Sequence, residues 1–215
     1  MVWDWNVEKR KKWLKPAPGM DQLAARWKKL NFQTLLDRGC GPGRHAIYFA
    51  KAGFSVTGMD LSQEALDYLD EWAQQENVNI FTVRGDMFRM PFQDDSFDCV
   101  IDYNVSYHTN TTGYFQAVRE LYRVLRPGGE VYLTLKSRSD PVFQKAKKED
   151  HIDRFTLLQE GKTPHFFADE SDLQEIFQGF SLVVPAREVR APGIDNPVES
   201  VHYHLLFRKE ETLIC

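Results

Sequence analysis

The stretch Leu35-Leu36-Asp37-Arg38-Gly39-Cys40-Gly41-Pro42-Gly43 decides the fold. Two apolar residues lead into an acid, a base and three glycines at alternate positions. A second acid, Asp60, closes the next apolar run 21 residues after Gly39. The pattern reads as strand, glycine turn, helix and second strand, with the terminal carboxylate placed to accept hydrogen bonds from ribose hydroxyls. Gly39 and Gly41 permit a tight turn and leave room for a ligand, and Gly43 lets the helix start close to the sheet. From about Arg44 the helix N-terminus is expected to offer open amides to a carboxylate or phosphate. A dinucleotide site places its third glycine one residue later, so this spacing argues against a hydride-transferring enzyme.

Downstream, a third strand over about 79–83 runs into Gly85-Asp86-Met87, bringing an acid to the same crevice. A fourth strand follows in Phe97-Asp98-Cys99-Val100-Ile101-Asp102-Tyr103-Asn104, and a fifth after the turn Arg126-Pro127-Gly128-Gly129. This ordered set resembles the class I S-adenosylmethionine-dependent methyltransferases, and most closely the small single-domain kind related to quinone-biosynthesis and tellurite-resistance methyltransferases. The resemblance is strong over about residues 33 to 136. It implies an α/β, Rossmann-like sandwich around a seven-stranded, mostly parallel sheet in order 3-2-1-4-5-7-6, with strand seven antiparallel. One position departs from the family, which usually carries an apolar residue where this chain has Arg38. A guanidinium cannot be buried alone, so Arg38 is expected to reach solvent or pair with an acid.

The flanks are read from punctuation. A helix is expected over about 20–30, another over about 44–52 ending at Gly53, and a third behind the capping hydroxyl of Ser62. Residues after 137 read as an irregular polar segment, then a helix from near Glu170 to Gly179. Strands near 181–184 and 201–207 are expected to form the closing antiparallel pair around an irregular loop over 185–199. The whole of 1–215 is expected to be one methyltransferase domain, with 1–30 as an N-terminal lid or helical cap and 31–215 as the catalytic core. Trp3, Trp5 and Trp13 beside Lys9-Arg10-Lys11-Lys12 read as either a lid or an ordinary terminal helix.

At 215 residues and 25.0 kDa the chain suits one substantial core. A net charge of −4 with interspersed signs supplies no basic stripe for nucleic acid. Cys40, Cys99 and Cys215 show neither metal spacing nor a disulfide framework, which suggests a reducing, cytoplasmic setting. No run is apolar enough to span a bilayer, and Met1-Val2-Trp3-Asp4-Trp5 lacks a signal peptide's basic start.

Carried over by position, the resemblance places Gly39, Gly41 and Gly43 at the methionine and ribose part of S-adenosylmethionine. Asp60 takes the ribose hydroxyls, Leu61 packs on the adenine, Asp86 accepts from its amino group, the Met87 amide faces a ring nitrogen and Asn104 contacts the methionine end. His108, in the loop after strand four, is the candidate general base. Tyr107 joins it as a catalytic candidate, and Tyr103 is a further residue shaping the acceptor site. His165 is a possible substrate contact. His202 and His204 share a strand face without an accompanying acid or cysteine pattern, so no metal is expected. The implied reaction is direct in-line methyl displacement onto a small molecule, leaving S-adenosylhomocysteine. The alternatives are a protein side-chain methyltransferase and a non-catalytic cofactor-binding adaptor. The absence of Asn/Asp-Pro-Pro-aromatic after strand four argues against nucleobase amines. The expected partner is therefore a small molecule, with neither nucleic acid nor membrane, for a monomer or weak homodimer.

Overall fold

The computed structural model describes residues 14–159, 163–192 and 199–211. In chain order these form α1 (Met20–Lys29), β1 (Thr34–Arg38), α2 (Arg44–Lys51), β2 (Ser55–Asp60), α3 (Gln63–Gln75), β3 (Ile80–Arg84), β4 (Phe97–Asp102), α4 (Thr111–Val124) and β5 (Leu125–Ser137). The second half adds α5 (Pro141–Gln144), β6 (Thr156–Gln159), β7 (Thr163–Ala168), α6 (Leu173–Ile176), β8 (Phe180–Leu182), β9 (Arg187–Pro192) and β10 (Glu199–Lys209). The tryptophans at 3, 5 and 13 lie outside the described residues.

The sheet path is β3-β2-β1-β4-β5-β10-β8. β1 to β5 run parallel to their neighbours, while β10 is antiparallel to β5 and β8. That is the expected order, with β8 as strand six and β10 as strand seven. Side chains alternate across it as the pleat requires. Leu35, Cys99, Ile101 and Leu206 face a core built with α1, α2 and α3. Their neighbours Leu36, Val100, Leu205 and Phe207 face the other core, built with α4 and α6. Being covered on both faces is why the central strands read as continuous apolar runs.

Helix limits follow local chemistry. The Ser62 hydroxyl accepts from the Ala65 amide at 3.3 Å and starts α3, and Asn110 accepts from Gly113 at 2.9 Å and starts α4. Gly53, at φ 88°, ends α2.

Two expectations of irregular structure are corrected. Within 137–168, β6 and β7 form a hairpin, and β7 joins β5 through Lys136↔Phe167 and Ser137↔Ala168, beyond the end of β4. Within 185–199, β9 pairs with the first half of β10 from Glu199↔Pro192 to His204↔Arg187. Arg, Glu and Pro in β9 hid it, because an edge strand exposed on both sides has no apolar alternation to betray it. The helix expected from Glu170 to Gly179 is shorter: a 3₁₀ turn over Glu170–Asp172 leads into α6. None of the described helices is long and apolar enough to cross a membrane.

Candidate active site

The carboxyl ends of β1, β2 and β4 meet at the sheet's switch point, and a cleft of about 1150 Å³ opens there. Gly39, Gly41 and Gly43 have φ values of 66°, 53° and 95°, a region closed to most side chains. At Gly39 the reason is tertiary as well: a Cβ would lie 2.5 Å from Cγ2 of Val105, in the loop after β4. At Gly43 a Cβ would lie 2.2 Å from Cδ1 of Leu69, so the close approach it permits is to α3. Gly39 lines the cleft, while Gly41 and Gly43 work from behind its surface.

Asp60 ends β2 and faces the cleft. Its carboxylate accepts from the Gly41 amide at 2.8 Å and the Ser62 amide at 2.9 Å, so the acid is tied to the glycine turn. Burial raises its pKa, opposed by those amides. A carboxylate has about four acceptor sites, so capacity remains for hydroxyl donors. Leu61, Asp86, Met87 and Asn104 line the same cleft. Asn104 is held in a left-handed conformation, φ 62°, by its amide donating to Thr134 Oγ1 at 2.8 Å and that hydroxyl donating back to its Oδ1 at 3.0 Å.

The start of α2 is less open than the sequence suggests. Asp37, buried behind the turn, accepts from the Ala46 amide at 2.9 Å. Burial carries its pKa up to about 7, against the pull of that amide and of Arg44.

Arg38 resolves toward an acid. It is fully buried and pairs with Asp102 at the end of β4, donating also to Ser106 Oγ at 2.6 Å and the Ala117 carbonyl at 2.8 Å. Asp102 in turn accepts from the Ser106 hydroxyl and from its amide at 3.2 Å. The ion pair thus binds β1 to the loop that carries Tyr107 and His108.

Five of the six histidines line the cleft. His108 Nδ1 lies 2.9 Å from His165 Nε2, and His165 Nδ1 lies 3.2 Å from the Thr163 carbonyl. Burial, with His165 and Lys136 nearby, lowers His108 to about 3. Burial likewise lowers His165 to about 4, His202 to about 3 and His204 to about 4. His108 is therefore neutral near pH 7 and a poor proton acceptor, which weighs against the general-base role expected of it. Tyr107 is buried, and burial raises its hydroxyl pKa.

Sequence reading missed Tyr132, Lys136 and Asp140 as cleft residues and gave His202 and His204, placed on one strand face, no part in the site. Pairing of β10 with β5 sets His202 opposite Lys136 and Leu206 opposite Tyr132, on the cleft side. The overlooked signal was alternation: His202, His204 and Leu206 interleave with the buried Val201, Tyr203 and Leu205.

The switch-point cleft, the glycine turn and the closing antiparallel strand form an α/β, Rossmann-like fold of the class I methyltransferase kind. Over residues 35–129 the chain matches the family described as a methyltransferase domain. It is 34% identical over 140 residues to a malonyl-[acyl-carrier protein] O-methyltransferase of Pseudescherichia vulneris, covering 63% of this chain and 53% of that protein. It is 39% identical over 115 residues to the demethylmenaquinone methyltransferase of Staphylococcus aureus strain MRSA252, covering 51% and 46% respectively. The chain thus spans about half the length of the curated relatives it matches. A SAM-dependent methyltransferase structure from Methanosarcina mazei shares the fold with a TM-score of 0.72 at 21% identity, over 83% of this chain and 92% of that one.

Proposed function

We propose that the chain transfers a methyl group from S-adenosylmethionine to a small molecule bound in the same cleft. The observation that carries this reading is the single cleft of about 1150 Å³, walled by Gly39, Asp60 and Asp86 in one part and by Tyr107, His108 and His165 in another. Ordinary ligand pockets run to about 300–1000 Å³, so there is room for two ligands side by side.

The cofactor supplies an electrophilic methyl on a sulfonium. The residues have an alignment task, and good orientation contributes about 7–11 kcal/mol to such reactions. Asp60 accepts from the ribose hydroxyls, Asp86 and the Met87 amide read the adenine edge, Leu61 packs on its face, and Gly39 and Asn104 border the methionine end. Gly41 and Gly43 set the shape of the turn from behind. When bound, the cofactor would supply its methyl for direct displacement by the acceptor's lone pair, the carbon–sulfur electron pair passing to sulfur. Any proton on the acceptor atom leaves to water. Tyr107 and the neutral His108 orient the acceptor rather than deprotonate it.

The reading extends to residues 1–215 working as one domain with 1–30 as its lid or helical cap, as a cytoplasmic monomer or weak homodimer without nucleic-acid or membrane partners. Its test is incubation with labelled S-adenosylmethionine and separated small-molecule, protein and nucleic-acid fractions of a cell extract. Saturable label in a small-molecule product is expected. Label in macromolecules alone overturns the reading.

A further inference from the structure

One compartment of the cleft is built from rings and self-cancelling charge. The Tyr107 ring centroid lies 4.4 Å from His108, 5.3 Å from His202 and 6.2 Å from His165. Lys136 Nζ lies 3.3 Å from Asp140 Oδ2, and both residues face the same compartment. Asp140 is saturated: it also accepts from Ser200 Oγ at 3.1 Å and from the Val201 and Val142 amides at 2.9 Å each. Lys136 gives a second hydrogen to Ser200 Oγ at 3.4 Å, leaving its third N–H. The Nε2 of His202 is buried without a partner among the described residues.

We propose that this compartment is the acceptor subsite and that it selects an uncharged, planar ring system bearing a hydroxyl, carbonyl or ring-nitrogen group. The proposal names the substrate class of the methyl-transfer reading and rests on it. A flat ring gains contact with Tyr107, His165 and His202, whose π faces and edges favour offset or edge-on partners. A polar edge finds the third N–H of Lys136 and the Nε2 of His202. A carboxylate would have to compete with Asp140 for Lys136. An ammonium would find Asp140 already filled and imidazoles that burial keeps neutral. In either case a charge enters a low-dielectric space without a committed counterion. Three further cations line the cleft wall: Arg26 is held by Glu130 at 2.7 Å, Arg44 lies over the Tyr103 ring at 5.0 Å, and Arg187 stands in β9 opposite His204.

The test is isothermal titration near neutral pH with three probes of one shape: 2-naphthol, 2-naphthoate and 2-naphthylmethylammonium. S-adenosylhomocysteine is titrated first, and its affinity judges the cofactor reading independently. The probes are then titrated on the chain both with and without it, so the compartment is tested whichever way that reading falls. We expect 2-naphthol to bind about tenfold or more tighter than either ion. His202→Leu and His165→Leu should each lower its affinity about fivefold or more while leaving S-adenosylhomocysteine binding intact, which also certifies folding. Equal or tighter binding of 2-naphthoate would hand selectivity to Arg44 and Arg187 and overturn the proposal. Equal or tighter binding of the ammonium, or no saturable binding of 2-naphthol, would overturn it as well.

Discussion

Arg38 and Asp60 show how much one residue carries at the switch point. Replacing Arg38 by Met leaves Asp102 fully buried with its cationic partner gone, and breaking one side of such a pair costs about 3–5 kcal/mol. The double variant Arg38→Met/Asp102→Asn removes the orphaned charge while keeping an acceptor for the Ser106 amide, so it should recover much of that loss. Urea denaturation of the three proteins checks this, and equal stability of the single and double variants would refute the pairing. At Asp60 the expected effect falls on binding. Asp60→Ala deletes the acceptor for ribose and releases the Gly41 and Ser62 amides. Hydrogen bonds to a charged group are worth about 1.5–3 kcal/mol, so S-adenosylhomocysteine affinity should fall about tenfold to hundredfold. An unchanged calorimetric Kd would remove Asp60 from the ribose role. The pattern made Asp60 and the glycines visible in the sequence. Arg38 was visible only as an anomaly, because its partner is 64 residues away and is brought beside it by strand pairing.

Among the elements, α1 is clamped by a carboxylate from the far end of the chain's logic. Glu130 of β5 is fully buried and accepts from Arg26 Nη2 at 2.7 Å, Trp27 Nε1 at 2.9 Å and Arg208 Nη2 at 2.7 Å. It therefore joins α1, β5 and β10 at one point, and α1 in turn presents Gln22, Leu23 and Arg26 to the cleft. Glu130→Gln should cost about 2 kcal/mol, less than a fully buried pair because the arginine side chains are 35% and 39% exposed. Amide exchange over 20–29 should quicken relative to α3, and uniform exchange in both helices would deny α1 a local clamp. Helices α1 to α3 were legible because caps and apolar spacing are local. The β6–β7 and β9–β10 pairings were not, since their strands are stabilised by partners rather than by pattern.

Over the whole molecule, the cleft histidines set the response to acid. The folded pKa values of His108, His165, His202 and His204, about 3 to 4, lie below the ordinary imidazole value, and burial lowers His45 as well, so the unfolded chain binds more protons below about pH 6.5. Stability is complete above that pH and falls as pH drops through the window down to about 3, by about 1.4 kcal/mol per unit for each imidazole at most. Asp37 works in the opposite sense: its raised value of about 7 adds stability as pH falls from 7 toward 4. Five imidazoles outweigh one carboxyl, and a net loss of about 4 kcal/mol between pH 7 and 5.5 is expected in urea titrations. His202→Gln should flatten the slope, and a slope identical to that of the unaltered chain would show that His202 is not held neutral by the fold.

The sequence by itself determined the strands of the parallel half of the sheet and the glycine turn with its answering acid, since these are written in short-range spacing and turn chemistry, while the order of the strands was implied by the family resemblance. Only the tertiary structure decided what the cleft contains beyond the cofactor's reach. Tyr107, His165 and His202 meet there from three separate segments, and Lys136 finds Asp140 where β5 runs out. The physical reason is that burial and charge compensation depend on which strands lie side by side. No local pattern encodes that a histidine will be kept neutral or an arginine kept dry.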